Sequence, residues 1–280
     1  MGITDPRFTN WSALNRFCQA CDYNIEKSIK LFEAYWSMRH SKNVDGLIQQ
    51  DWSGLLNVRA FYPRQFYKND LYGRPILIEK LGRANFKELF KVGYIFTQHF
   101  TLDYLKNAML VEYELLDRVM LPNCSKLAGI EVKAIVSIID LKGISMTDLM
   151  STNLFDMVKW SIKLFQEYYP ELVHKCFIVN TPMLFSGFWT VVKPLFTSRT
   201  QSTIQVCSGN GAVELRSFIT PEHIPQEYGG ISPEVLDGVD RGVYLSEANA
   251  CFNLKKWDPT PEEVANVKNG GNSHYSSHMK

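Results

Sequence analysis

Apolar residues change period several times along this chain, and each change predicts an element. Through about residue 57, Phe17, Ile25, Ile29, Phe32 and Trp36 recur at spacings near 3.6 among Lys and Glu, which predicts a small N-terminal helical unit. Pro75-Ile76-Leu77-Ile78 is a short apolar run behind the turn signal at 69–73 and predicts a strand. Leu102, Leu105, Met109, Tyr113, Leu116 and Met120 mark one face of a long helix that Pro122 is expected to stop. The run 134–139 is rich in β-branched residues and predicts the second strand. Leu154, Val158, Ile162, Phe165 and Tyr169 form another helical stripe, ended at Pro170. Runs 177–179 and 203–207 predict the third and fourth strands. Strands alternating with helices imply an α/β fold with a mostly parallel sheet flanked by helices. From about residue 258 large apolar residues become sparse and Pro, Gly, Ser and Asn take over, which reads as a mobile C-terminal tail.

The run from Pro182 to Phe196 has a different character. Phe185, Phe188, Trp189, Val192, Leu195 and Phe196 recur at helical spacing, and Lys193 is the one charged residue. A buried core helix would look like this. So would a helix that closes a cavity with one face and meets lipid with the other, where Trp and Phe suit a membrane interface.

Composition narrows the possibilities. The chain has 280 residues, with 30 Lys plus Arg against 29 Asp plus Glu, a net charge of +1. That balance, with no run of five Lys or Arg, argues against nucleic acid as a partner. The six cysteines at 18, 21, 124, 176, 207 and 251 form no disulfide framework, and Cys176 and Cys207 sit inside apolar runs. A reducing compartment is expected. No charged-then-apolar leader, no myristoylation pattern after Gly2 and no stretch of 18 apolar residues is present. The expectation is a cytoplasmic protein, peripheral to membranes and monomeric.

Signals for catalysis or metal binding are weak. Cys18-Gln-Ala-Cys21 has metal or redox spacing but lacks a second pair. Ser208-Gly-Asn-Gly211 could cradle phosphate, yet matches neither the dinucleotide motif nor a P-loop, and reads as a turn. Ser186-Gly187 lacks the nucleophile elbow, and the histidines show no ligand spacing outside the tail. No enzyme activity and no cofactor other than a bound lipid is expected.

Several short motifs occur in a characteristic order. Tyr62-Pro-Arg precedes Asp70-Leu-Tyr-Gly-Arg-Pro75; Ile139-Asp-Leu-Lys-Gly-Ile-Ser145 follows the second strand. Tyr168-Tyr-Pro-Glu171 precedes Phe177-Ile-Val-Asn-Thr-Pro182, and Lys193-Pro-Leu-Phe196 and Ile224-Pro-Gln-Glu-Tyr-Gly-Gly230 complete the set. Together they resemble the CRAL-TRIO lipid-binding family, and within it the Sec-fourteen-like phosphatidylinositol/phosphatidylcholine transfer proteins. The likeness runs from about residue 14 to 257. It implies an N-terminal helical bundle over 1–57, a CRAL-TRIO lobe over 58–257 with one deep apolar pocket, and a tail over 258–280. It implies a lipid-binding and transfer protein whose entrance is gated by the helix 184–196. Burying acyl chains contributes about 0.8 kcal/mol per CH₂, so such a pocket needs an apolar wall.

The resemblance also assigns site residues. Glu171 matches a family phosphatidylinositol contact, while the matching lysine position holds Thr203; Arg199, four residues earlier, would share its face on a helix and could pair with phosphate, with Thr200 beside it. Tyr113 matches a choline-site tyrosine, but Phe66, Leu77, Ile135, Ser137 and Leu172 stand where the family has other groups, mostly more polar ones. Phe165, Phe185, Phe188 and Val192 are expected in the apolar wall, and Phe185, Phe188, Trp189, Val192, Leu195 and Phe196 in the membrane gate. Loss of hydrogen-bonding groups favours a guest less polar than phosphatidylcholine, such as a sterol, a fatty-acyl lipid or a different phospholipid. The implied partners are that lipid and, transiently, a membrane surface. The alternative function is a lipid sensor that presents its lipid to a partner such as a lipid kinase.

Overall fold

The computed structural model describes residues 3–50, 61–85 and 101–233. The expected tail over 258–280 and the end of the lobe beyond 233 lie outside the described residues, as do residues 51–60 and 86–100.

The N-terminal helices start where polar side chains can cap them. Asn10 accepts from Ala13 N–H ahead of α1 (Trp11–Ala20), and Asn24 accepts from Lys27 N–H ahead of α2 (Ile25–Ser41). The buried face of α2 differs from the predicted stripe. Ile25 and Ile29 are exposed, whereas Ser28, Tyr35, Met38 and Arg39 are buried. Polar contacts decide this rotation: Tyr35 packs between Phe8, Phe17 and the Tyr169 ring, and Arg39 reaches a buried carboxylate at Glu114.

The sheet has five strands in the order β1-β2-β3-β4-β5, with β1 (Arg64–Asn69) antiparallel to β2 (Pro75–Glu79). β3 (Ile135–Asp140), β4 (Val173–Val179) and β5 (Ile204–Val206) continue it in parallel. β1 is not one of the four predicted strands, because RQFYKN mixes polar residues through a strand only half covered. Side-chain alternation divides the sheet into two faces. Ile76, Ile78, Val136, Ile138, Phe177 and Val179 form one core with Leu215, Ile219, Ile224 and Tyr228 from the chain after β5. Leu77, Ile135, Cys176 and Ile178 face the other way, toward the crossover helices.

Those crossovers are α3 (Leu102–Leu115), α4 (Thr152–Lys163) and α5 (Phe185–Val192), followed by α6 (Ser198–Thr203). Pro122 does not stop α3. A π-turn over 116–120 carries the chain into a helix at Leu121–Ala128, where Pro122 stands in the first turn and needs no N–H partner. A second π-turn, over 164–168, ends α4. The Trp160 indole donates to the Lys106 carbonyl at 3.1 Å and ties α4 to α3. Among the described residues, no helix is long and apolar enough to cross a membrane.

Asp140 closes the C-terminal end of β3. Its Oδ1 accepts from Asn180 at 2.8 Å and from Lys142 N–H at 2.9 Å, and its Oδ2 accepts from the Tyr228 hydroxyl at 2.9 Å. The carboxylate thereby joins β3, β4 and the Ile224–Gly230 motif. Tyr228→Phe removes one donor to a buried charge, and a stability loss of about 1–2 kcal/mol is expected in urea unfolding. An unchanged midpoint would show that this bond carries no net energy. The Ser208–Gly211 loop is a turn, with Gly209 and Gly211 at positive φ and Gly211 N–H bonded to the Ser208 carbonyl.

Candidate functional site

Between the crossover-facing side of the sheet and helices α3 and α4 lies a cavity of about 160 Å³. Its floor is strand alternation made concrete: Phe66, Leu77, Ile135, Ser137, Cys176 and Ile178 all point up from their strands. Met109, Tyr113, Leu154, Val158 and Phe165 roof it. Both π-turns contribute, through Leu116 and Phe165; π-bulges commonly re-aim side chains at functional sites. The cavity is about the size of an apolar void known to hold a benzene-sized guest, roughly 150 Å³. A ligand longer than that needs the walls to move.

The expected site residues fall into three groups. Phe66, Leu77, Tyr113, Ile135, Ser137, Phe165 and Thr203 line the cavity. Glu171, Arg199 and Thr200 line a smaller, separate cleft, with Phe165, Val173 and Thr203 as the partition shared by both. There the Arg199 guanidinium holds Glu171 bidentately, Nε to Oε1 at 2.7 Å and Nη2 to Oε2 at 2.9 Å, and reaches Asp22 at 3.2 Å. Arg199 and Thr203 do share the short helix α6, but the arginine's donors are taken up by carboxylates rather than left for phosphate. Leu172 belongs to neither group. It is fully buried in the core on the same side of the sheet as the cavity, but it does not line it.

The third group is α5 and the turn after it. Phe185 and Val192 are buried, Phe188 and Trp189 half-buried, and none of the four lines the cavity; Phe196 does. Aromatic contacts connect them. Trp189 stacks on Phe185 at 5.8 Å and meets Phe196 at 5.9 Å, and Phe196 stacks on Phe165 at 5.9 Å. The end of the segment is tied by Gln166, which donates to the Leu195 carbonyl at 3.2 Å and accepts from Thr197 N–H at 2.6 Å. Its outer side is apolar and exposed: Met183 (95%), Leu184, Val191 and Leu195. Met146 and Met150 are exposed beyond the C-terminal end of the neighbouring β3.

A charged cluster in the cavity wall is absent from the predicted set. Arg64 Nη1 donates to Glu112, its Nη2 lies 4.0 Å from Glu79, and the Tyr62 hydroxyl donates to Glu79. Burial opposes the charge on Arg64, but Glu112 and then Glu79 outweigh it and raise its pKa. Burial and then Glu79 push the Cys176 thiol up to about 12, so it is a protonated wall group, not a nucleophile. Period two carried the signal for two of these residues: Arg64 is two before Phe66, and Glu79 two after Leu77, on the same faces.

The architecture is an α/β sheet with an apolar cavity under its crossover helices, and comparison with known proteins places it in a family. A family model described as the CRAL/TRIO domain matches residues 64–230. The chain belongs to the CRAL/TRIO family. A SEC14 cytosolic factor of Kluyveromyces lactis is 33% identical over 237 residues, covering 84% of this chain and 75% of that protein. A phosphatidylinositol/phosphatidylcholine transfer protein, SFH11 of Arabidopsis thaliana, is 30% identical, covering 78% of this chain and 56% of its own length. Among solved structures, the crystal structure of Sfh5 superposes with a TM-score of 0.61 at 17% identity, covering 84% of this chain and 76% of that one.

Proposed function

We propose that this protein binds one lipid in the cavity and carries it between membranes, without making or breaking bonds. The observation that carries the reading is a largely apolar cavity beside α5, whose Phe185 is buried and whose Phe188 and Trp189 are half-buried, with Met183 and Leu184 just before the helix and Val191 on it exposed outside. The names of the relatives, a cytosolic factor and a phosphatidylinositol/phosphatidylcholine transfer protein, support a carrier that works from the cytosol.

The proposed route of exchange follows from the contacts. Swinging α5 outward separates Trp189 from Phe196, which stays at the end held by Gln166, and uncovers the Phe196 ring at the cavity edge. In water that motion exposes the Phe185, Phe188 and Trp189 rings, which is unfavourable by roughly 25 cal/mol per Å² of apolar surface. At a bilayer the same surface enters lipid, so the opening is favoured where cargo is available. The exposed Met183, Leu184 and Val191 make first contact. The Gln166 bonds hold the far end of the segment and serve as its hinge.

Trp189→Asp places a carboxylate in this surface and removes the Phe185 stack. Transfer of a fluorescent phospholipid between vesicles is expected to slow about tenfold, with the protein still folded by circular dichroism. Transfer at the unaltered rate would rule out α5 as the gate.

A further inference from the structure

The cluster in the cavity wall constrains what the polar end of a guest can be; this deepens the carrier reading and rests on it. We infer that the cavity is built for a lipid whose buried polar end is a neutral oxygen, a hydroxyl above all, and that Arg64 sets this preference. Arg64, Glu79 and Glu112 all line the cavity. The guanidinium is paired with Glu112 and lies near Glu79, so a cation is already resident among the carboxylates. A quaternary ammonium has no N–H to offer the carboxylates, and both are already engaged beside a fixed cation, Glu112 by Arg64 and Glu79 by the Tyr62 hydroxyl. A phosphate or carboxylate entering there meets two negative ones in a site with little water to screen them.

A neutral oxygen escapes both penalties, and the site has a group that needs one. Arg64 Nε–H is buried and has no hydrogen-bond partner. It is a donor only, so what completes it is an acceptor oxygen. A choline group offers none. Tyr113 lines the same region, and Glu79 and Arg64 are the charges acting most strongly on its phenol. Among the described residues, no hydrogen bond joins its hydroxyl to either. A lipid hydroxyl can accept from Arg64 Nε–H and exchange a bond with Tyr113, while its apolar body lies along Phe66, Leu77 and Ile135.

The test uses the full chain and two probes. Protein is incubated with phosphatidylcholine vesicles containing either dehydroergosterol, a fluorescent sterol, or a trace of acyl-labelled phosphatidylcholine, then separated and its lipid quantified. The expected result is sterol enriched at least tenfold over the choline lipid relative to the vesicle. Arg64→Gln, which leaves the two glutamates without their internal cation, should cut sterol uptake at least fivefold and raise uptake of the choline lipid. Tyr113→Phe removes one hydroxyl without changing charge; it should lower sterol uptake several-fold without admitting the choline lipid, and it decides the matter if Arg64→Gln does not fold. Choline lipid taken up by the unaltered protein as readily as sterol, or sterol uptake unmoved by the substitutions, overturns the neutral-oxygen assignment and leaves the carrier standing. Uptake of neither probe overturns both.

Discussion

Replacing Arg39 with alanine costs about 3–5 kcal/mol of stability, the scale for leaving one member of a buried ion pair alone. Arg39 and Glu114 are each only 3% exposed at the side chain, with Nη1 and Oε1 2.5 Å apart. Arg39 also accepts nothing and donates widely: to the Tyr35 hydroxyl at 3.1 Å and to Asp45 at 3.0 Å, with its guanidinium 4.5 Å over the Phe8 ring. The Tyr169 hydroxyl donates to the same Glu114 oxygen, and Arg118 lies 2.5 Å from the other. One carboxylate on α3 therefore joins α2 through Arg39, the segment ahead of β4 through Tyr169, and the 116–120 turn through Arg118. Without Arg39, Glu114 keeps a burial penalty that Arg118 and Tyr169 only partly offset. In urea unfolding, the midpoint of Arg39→Ala should fall steeply. Arg39→Met combined with Glu114→Met should lose less than the two single changes added, because the double change leaves no uncompensated charge on either side. Additive single losses below about 1 kcal/mol would show that the pair is not what docks the N-terminal helices.

This network also marks where sequence reasoning stops. The stripe Phe17, Ile25, Ile29, Phe32, Trp36 is a sound helical pattern, yet α2 turns Ile25 and Ile29 to solvent and buries Arg39. Period finds apolar residues; it gives no weight to a charge whose partner is 75 residues away. The floor of the cavity was legible through the family resemblance, which named its positions, and the strands supply the physical reason. Leu77, Ile135 and Ser137 are fixed by alternation along β2 and β3, and parallel register sets Leu77 beside Ser137 and Ser137 beside Cys176. Arg64 and Glu79 obey the same alternation and were legible in principle, but polar residues in a strand are ordinarily read as its wet face. The Pro122 stop failed because a π-turn shifts the register of the helix just before the proline. Glu171 and Arg199 are adjacent in space, as a shared site requires, but they satisfy each other. Glu171 itself sits at φ +64°, a conformation that single-residue preference does not forecast.

Val158→Trp should nearly abolish lipid loading while leaving the fold intact, and this separates function from stability more sharply than any change at the gate. Val158 lies on the inward face of α4 and lines the cavity. A void of about 160 Å³ left among packed side chains costs roughly 4 kcal/mol, at about 24 cal/mol per Å³. A core selected for stability alone would close it, so its persistence points to a purpose that occupancy serves. An indole at position 158 takes up the space a guest would use. The packing it gains opposes the strain of overfilling, which is usually about 1–3 kcal/mol in a well-packed core and less where space exists. The expected outcome is a thermal midpoint equal to or above that of the unaltered protein, together with at least a tenfold fall in lipid recovered after vesicle incubation. Ser137→Ala at the floor, which removes a hydroxyl but adds no bulk, serves as the comparison and should retain loading. Were Val158→Trp to load lipid normally, the guest would have to lie elsewhere, and the cavity would be a packing defect.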